Sequence, residues 1–304
     1  MTDTIHKFMH SDGGVRIEAV QLQAAWQTMQ SQRDLPAPVR QILGELVAAS
    51  ALLCATLKFN GALVLQLQGD GPVRLAVVEC SADFAIRATI KLRDKAVVPA
   101  DANFQSLVNA NGQGRFLIVL DPKDRQAGQH PYTSIVPLHG AQLSDCLDHY
   151  FSASEQLPTQ LFLAANSDTA AGLLLQRMPS EGGRIVRDQD AWNRSQHLAA
   201  TVQSDELLSL PPEALVRRLF WEETLNLTAP RAVFHRCSCS RAKVADVIRL
   251  LGRPEVEAIL RESSPLTINC DYCDHAYQFD PVDCAQLFVA PEINNIIIAS
   301  DRLQ

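Results

Sequence analysis

Residues 38–57 read PVRQILGELVAASALLCATL, and this stretch with the short runs that follow it decides the fold. Val39, Ile42, Leu43, Leu46, Val47, Ser50, Leu53 and Leu57 recur at spacings of three and four, the period of a helix that lays one face on a core. The stretch therefore predicts a central helix. Alternating, β-type runs come next, at Leu63 to Leu67, Val73 to Val78, Phe84 to Leu92, Arg115 to Leu120 and Tyr132 to Pro137, separated by Gly, Pro, Asn and Asp clusters. Consecutive strands joined by tight turns predict an antiparallel sheet with helices segregated from it, an α+β domain. Upstream, Ile5 to His10 and Val15 to Leu22 flank Asp12-Gly13-Gly14, which predicts an opening hairpin. Downstream, residues 142–154 read as a helix, and Leu161 to Ala164 and Gly172 to Gln176 as further strands.

The pattern changes after Met178-Pro179. Residues 181–232 carry six basic and eight acidic groups in helical patterns broken by Pro211-Pro212, with a modest apolar face of Leu207, Leu208, Leu215, Leu219, Phe220 and Trp221. This segment reads as a helical linker. Four of the eight cysteines fall within Cys237 to Cys273, and the rest of the chain is too short for a large core of its own. The organisation read from the sequence is thus an α+β core domain over 1–180, a helical linker over 181–232 and a small cysteine-bearing domain over 233–304.

Composition narrows the function. The 304 residues are 47% hydrophobic and 20% charged, which excludes a wholly disordered chain. A net charge of -7 has the wrong sign for a protein that grips phosphate backbones, so nucleic acid is not expected as a partner. The first ten residues hold no basic start followed by an apolar run, and a cytoplasmic location is expected. No membrane segment is expected either, because the uncharged stretch Leu46 to Leu57, bounded by Glu45 and Lys58, falls short of the ~18 to 20 residues that span a bilayer. In a reducing compartment eight cysteines call for a metal or redox explanation rather than a disulfide framework.

Cys237-Ser238-Cys239 and Cys270-Asp271-Tyr272-Cys273 supply that explanation. Thiolates two or three residues apart can meet one ion, and four of them complete a tetrahedral zinc shell at ~2.3 Å per bond. Such a site has no open position for an activated water, so it is not a hydrolytic catalyst. His235 and His275 flank the pairs and read as exposed or supporting groups rather than ligands. Cys54, Cys80, Cys146 and Cys284 are scattered and read as small buried hydrophobes.

Other patterns carry less. Residues 68–72 (QGDGP) and 111–114 (NGQG) lack the full spacing of a phosphate loop and read as hairpin turns. Ser240-Arg241-Ala242-Lys243 matches S-x-x-K by letter but lacks the companion motifs of that enzyme class.

A closed zinc site in a reducing cell could belong to a nucleic-acid module, an enzyme or a thiol switch. Residues 233–304 hold seven Lys or Arg against ten Asp or Glu, and zinc with four thiolates adds further negative charge, so phosphate would be repelled. Cys270-x-x-Cys273 is not set in a thioredoxin-like βαβ pattern. Zinc binding to a small module is worth ~10 to 16 kcal/mol, comparable with the whole stability of a typical domain, so oxidising the ligands would unfold a module this small.

These pairs occur with Leu57-Lys58-Phe59, with Gln66-Leu67-Gln68-Gly69-Asp70-Gly71-Pro72, with Tyr150-Phe151 ahead of Ser154-Glu155-Gln156-Leu157-Pro158-Thr159, and with Leu174-Leu175-Gln176-Arg177-Met178-Pro179. Together they resemble the redox-regulated chaperones of the heat-shock protein 33 family, over most of the chain. The resemblance implies an ATP-independent holdase, not an enzyme, that is inactive when reduced and loaded with one zinc ion per chain on Cys237, Cys239, Cys270 and Cys273. It further implies that peroxide or hypochlorite, usually with heat, joins Cys237 to Cys239 and Cys270 to Cys273 in disulfides. Zinc release, unfolding of the switch domain and linker, homodimerisation and capture of unfolding client proteins would follow. The reading from another class is a constitutive zinc-ribbon-like module that regulates a partner.

Two features depart from the resemblance. Cys284 stands where an aliphatic residue is expected, and the closing segment 294–304, with Ile296-Ile297-Ile298, has no clear counterpart.

Overall fold

The opening hairpin forms as β1 (Thr4–His10) and β2 (Val15–Leu22), followed by a short helix α1 (Ala24–Gln30) and the long α2 (Ala37–Thr56). The computed structural model describes residues 3–31, 33–57, 60–124, 130–179, 188 and 190–289. Lys58, Phe59, the first residues of the linker at 181–187 and the closing segment 294–304 lie outside the described residues. Two units emerge, residues 1–237 and 238–304.

In the first unit, α2 is followed by β3 (Gly61–Gln68), β4 (Val73–Ser81), β5 (Ala85–Leu92), α3 (Phe104–Val108), β6 (Arg115–Pro122) and β7 (Tyr132–Val136). Then come α4 (Leu143–Ala153), β8 (Thr159–Ala165) and β9 (Ala170–Arg177). The chain continues through α5 (Ala191–Ala199), α6 (Ser204–Ser209), α7 (Pro212–Leu219), β10 (Leu225–Ala232) and β11 (Phe234–His235). The strands make two sheets, in the orders β10-β1-β2-β9-β8 and β11-β5-β4-β3-β6-β7, with every pairing antiparallel except β11 with β5.

The α+β class read from the sequence is observed, but the strands divide between two sheets and α2 packs against both instead of standing apart. That explains the composition of α2. A helix covered on both sides must be apolar all round, and Val39, Leu43, Leu46, Val47, Ala48, Ala49, Ala51 and Leu52 are all fully buried. By length and composition α2 could cross a membrane, yet most of it is buried inside the unit, the mark of a core helix. Its close approach to β8 requires Gly44, where an added Cβ would lie 2.4 Å from the Ala165 Cβ. Pro36 and Pro38 mark its start, and Leu57 ends it in extended backbone.

Residues 190–232 fold against the first sheet, whereas β11 joins the second. Ala191, Trp192, Ala199, Leu207, Leu215, Val216, Leu219 and Phe220 bury themselves on Phe8, Val15, Ile17, Ala19, Ala171, Leu173 and Leu175, the sheet face turned away from α2. Leu225–Ala232, read within a helical linker, forms a strand instead, because β1 offers it an open edge and the pair runs from Thr4↔Ala232 to His10↔Leu225. Gln21 Nε2 donates to Leu208 O at 2.9 Å and Leu210 O at 3.1 Å, which fixes the end of α6 to β2.

The glycine turns also become clear. Residues 68–72 do join two strands, but 111–114 run from α3 into β6 and are not a hairpin. Asp70 makes the difference, since its Oδ2 accepts from the backbone N–H of Asn111 at 3.1 Å and of Gln113 at 2.7 Å.

The second unit contains α8 (Arg241–Leu251), α9 (Arg253–Glu262), β12 (Leu266–Asn269), β13 (Ala276–Phe279) and α10 (Pro281–Leu287). Among the described residues its buried apolar cluster is Ala245, Ile248, Val256, Leu266, Phe279 and Cys284. A core this small leaves a chain of this length marginal without a staple.

Candidate metal centre

The two cysteine pairs lie at element ends. Cys237 and Cys239 occupy the extended segment between β11 and α8, while Cys270 follows β12 and Cys273 closes the turn before β13. The β12–β13 hairpin holds its pair through Cys270 N–H donating to His275 O at 3.0 Å and Asp274 N–H donating to Cys270 O at 2.8 Å. Asp274 turns the chain in left-handed backbone at φ 55, a conformation Asp tolerates, and receives Asn269 Nδ2 at 3.0 Å.

The segment with the other pair is fixed from α8. Ser240 caps that helix by accepting the Lys243 N–H, and the Lys243 ammonium donates to Ser238 O at 2.8 Å. The S-x-x-K letters are thus a helix start rather than a catalytic pair.

The four sulfurs of Cys237, Cys239, Cys270 and Cys273 all lie within 4.8 Å of one another, with Cys239 and Cys273 at 3.5 Å. A tetrahedral ion with ~2.3 Å bonds to sulfur needs its ligands ~3.8 Å apart, so the cluster has the dimensions of such a shell. The four residues could hold a metal ion. Each of the four residues is half-buried.

Tyr277 supports the cluster from β13: its hydroxyl donates to Cys239 Sγ at 3.1 Å, and this bond pushes the phenol up to about 12. The sequence holds no signal for this role beyond an aromatic residue just past the second pair. His275 stacks edge-on against Tyr277 at 4.6 Å and is exposed. His235, half-buried on β11, has its pKa lowered by burial. Neither histidine joins the four-sulfur cluster. Cys54, Cys80, Cys146 and Cys284 are buried, and Cys284 belongs to the core of the second unit.

Comparison with known proteins gives one family throughout. The family model described as Hsp33 protein matches residues 3–280. The chain is 43% identical over 289 residues to a 33 kDa chaperonin of Methylobacillus flagellatus, with 95% of each chain covered. It is 39% identical over 286 residues to a 33 kDa chaperonin of Shewanella woodyi, covering 94% of this chain and 96% of that one. The crystal structure of a 33 kDa chaperonin from Thermotoga maritima shares the fold, at a TM-score of 0.78 and 21% identity over 94% of this chain and 98% of the other.

Proposed function

The chain belongs to the Hsp33 family, and from that premise we propose that it is a redox-regulated, ATP-independent holdase rather than an enzyme. The observation that carries the proposal is a continuity of chain. The four-thiol cluster begins at Cys237, shortly after the segment 190–232, whose apolar side chains from Ala191 to Leu225 cover one face of the first sheet and whose strand β10 pairs with β1.

In the reduced state Cys237, Cys239, Cys270 and Cys273 would hold one zinc ion, the metal that suits four thiolates in a closed shell. The bound metal supplies folding free energy to a unit whose own core is small. The half-buried cysteines are the sensor. A peroxide or hypochlorite oxidises one thiolate of each pair, to sulfenic acid with peroxide, and the partner thiol attacks that sulfur and expels the leaving group to close a disulfide, Cys237 with Cys239 and Cys270 with Cys273, whose sulfurs no longer serve as ligands. The second unit then loses its staple. The segment ahead of Cys237 loses its anchor, and its release bares Phe8, Val15, Ile17, Leu173 and Leu175 together with its own apolar face. A contiguous apolar surface of that kind binds unfolding clients and a second copy of the chain.

On this reading residues 1–180 are the chaperone core, 181–232 the linker and 233–304 the switch. The protein acts in the cytoplasm, with no nucleic-acid or membrane partner. The test is light scattering from a thermally unfolding client, with reduced and with peroxide-treated protein. Suppression by the oxidised form alone is expected. Equal suppression in both states would overturn the proposal in favour of a constitutive zinc-bearing interaction module.

A further inference from the structure

Two thiols far apart in sequence meet in the core of the first unit. Cys54 lies near the end of α2 and Cys80 near the end of β4. The Cys54 sulfur lies 3.4 Å from Ser81 O and the Cys80 sulfur 3.8 Å from the same oxygen. The Cys54 sulfur also lies 3.8 Å from Cys80 O. Both are buried, Cys80 completely and Cys54 to within 5%.

The turn that carries Ser81 is gripped by the residues just ahead of Cys237. Arg231 Nη2 donates to Ala82 O at 2.8 Å, and its guanidinium lies 4.2 Å above the Phe84 ring. Phe234 N–H donates to Phe84 O at 3.1 Å, and Arg236 pairs with Asp83 at 2.8 Å. Residues 231–236 therefore hold shut the end of the unit in which the dithiol sits.

We propose that Cys54 and Cys80 are a second redox-active pair, which closes to a disulfide inside the first unit once residues 231–236 release the β4–β5 turn. Access and polarity assign the roles, Cys54 being the less completely buried of the two. Cys54 has a lowered pKa because Cys80 hydrogen-bonds to its thiolate, against the cost of burial and with a lesser contribution from Arg231. Cys80 is raised well above the ordinary thiol value by that same hydrogen bond and by burial. Cys54 is the attacking sulfur and Cys80 the resolving one. Lifting the segment removes Arg231 but keeps the stronger influence of Cys80.

The oxidant is a hydroperoxide. With hydrogen peroxide, the Cys54 thiolate attacks one oxygen, the O–O bond breaks, and the departing hydroxide takes up the thiol proton as water, leaving Cys54 as sulfenic acid. The Cys80 sulfur then attacks the Cys54 sulfur, the S–S bond forms as the S–O bond breaks, and hydroxide leaves with the Cys80 proton as a second water. Two thiols and one peroxide give one disulfide and two waters. The bond ties α2 to β4 in the unit that must stay folded while the switch is open.

Release of the turn rests on the switch proposed above, whereas the dithiol does not, and the experiment separates them. The reduced, zinc-loaded full chain is treated with hydrogen peroxide with and without warming, alkylated, digested without reduction and mapped by mass spectrometry. The Cys54 to Cys80 peptide is expected to appear after the bonds among Cys237, Cys239, Cys270 and Cys273. In Arg231→Ala/Arg236→Ala protein it should form severalfold faster and without waiting for them. In Cys80→Ala protein a dimedone-type reagent should trap Cys54 as sulfenic acid. Switch bonds without any Cys54 to Cys80 bond would overturn the pair. Equal rates in the wild type and the double arginine variant would overturn the gate. Absence of the switch bonds themselves would instead count against the proposed function, and the double arginine variant would still score the pair.

Discussion

His10 Nε2 lies 2.9 Å from Glu223 Oε2, joining the opening hairpin to the turn between α7 and β10, with both side chains more than nine-tenths buried. Asp12 accepts from the other ring nitrogen at 2.7 Å, and Arg194 on α5 bridges Glu223 at 2.5 Å and Asp188 at 2.8 Å. The cluster pins residues 188–223 to the first sheet. Burial opposes the imidazolium, but the hydrogen bonds and charges of Glu223 and Asp12 outweigh it, so the His10 pKa is raised. Glu223, through Arg194 above all, is lowered and stays charged at neutral pH. A raised histidine contributes stability that is complete below its ordinary pKa of 6.5 and lost as pH climbs through the raised value. Docking of residues 191–232 should therefore be tighter at about pH 6 than at about pH 8. Hydrogen exchange of the reduced protein, corrected for intrinsic rates, checks this, and His10→Gln should remove most of the difference.

Glu45 makes the opposite demand on the core. It is buried in α2 with Gln41 as a hydrogen-bond partner, and burial raises it from 4.5 to about 7. A raised carboxyl contributes its full stability below its ordinary pKa and loses it as pH rises through the folded value. Above about 7 the ionised group costs on the order of 3 kcal/mol relative to the neutral one. Glu45→Gln should raise the melting temperature of the first unit at about pH 8 and change it little at about pH 4. A variant no more stable than the wild type at the higher pH would show that the buried carboxylate finds compensation.

The sequence carried the strands and α2 because their period and turn residues are local signals. Leu63, Leu65 and Leu67 alternate inward on β3, and Val39 to Leu53 repeat at helical spacing. It did not carry the division into two sheets, since a helix that is apolar all round reads the same whether one side or both are covered. Leu225–Ala232 was hidden for a different reason. Its side chains are mostly exposed, and only the open edge of β1 makes it a strand. At the metal centre spacing alone brought out the four cysteines, because ligands of one ion must be close in pairs. Tyr277, His10 with Glu223, and Cys54 with Cys80 meet only through tertiary packing, so no spacing rule reveals them.

Ligand identity yields a direct prediction. Serine in place of Cys237, Cys239, Cys270 or Cys273 should each bring bound zinc well below one ion per chain after dialysis against a chelator. A structural site worth ~10 to 16 kcal/mol depends on all four sulfurs, and a small core cannot make up the loss. Exchange protection should fall across 241–289 and persist across 39–54. Full zinc content in any one variant would remove that cysteine from the shell.

The order of oxidation follows from ring size and from Tyr277. Cys270 and Cys273 close an ordinary C-x-x-C ring, whereas Cys237 and Cys239 have one residue between them and must close a tighter, more strained one, easier to reduce and harder to form. The Tyr277 hydroxyl adds to this by hydrogen-bonding the Cys239 sulfur at 3.1 Å, which blunts its attack on peroxide. The bond between Cys270 and Cys273 should therefore appear first. Its formation removes two of four ligands, yet the segment that covers the first sheet is joined to the Cys237 side and is held by β10 on β1 and by the His10 and Glu223 cluster. Release should wait for the second bond or for heat. Mild peroxide in the cold should give a partly oxidised, largely inactive protein, and peroxide with warming the active one. Disulfide mapping along that time course, beside client binding, decides the order. Early joining of Cys237 to Cys239, a dominant bond between Cys239 and Cys273, or full activity with one bond formed would each refute it.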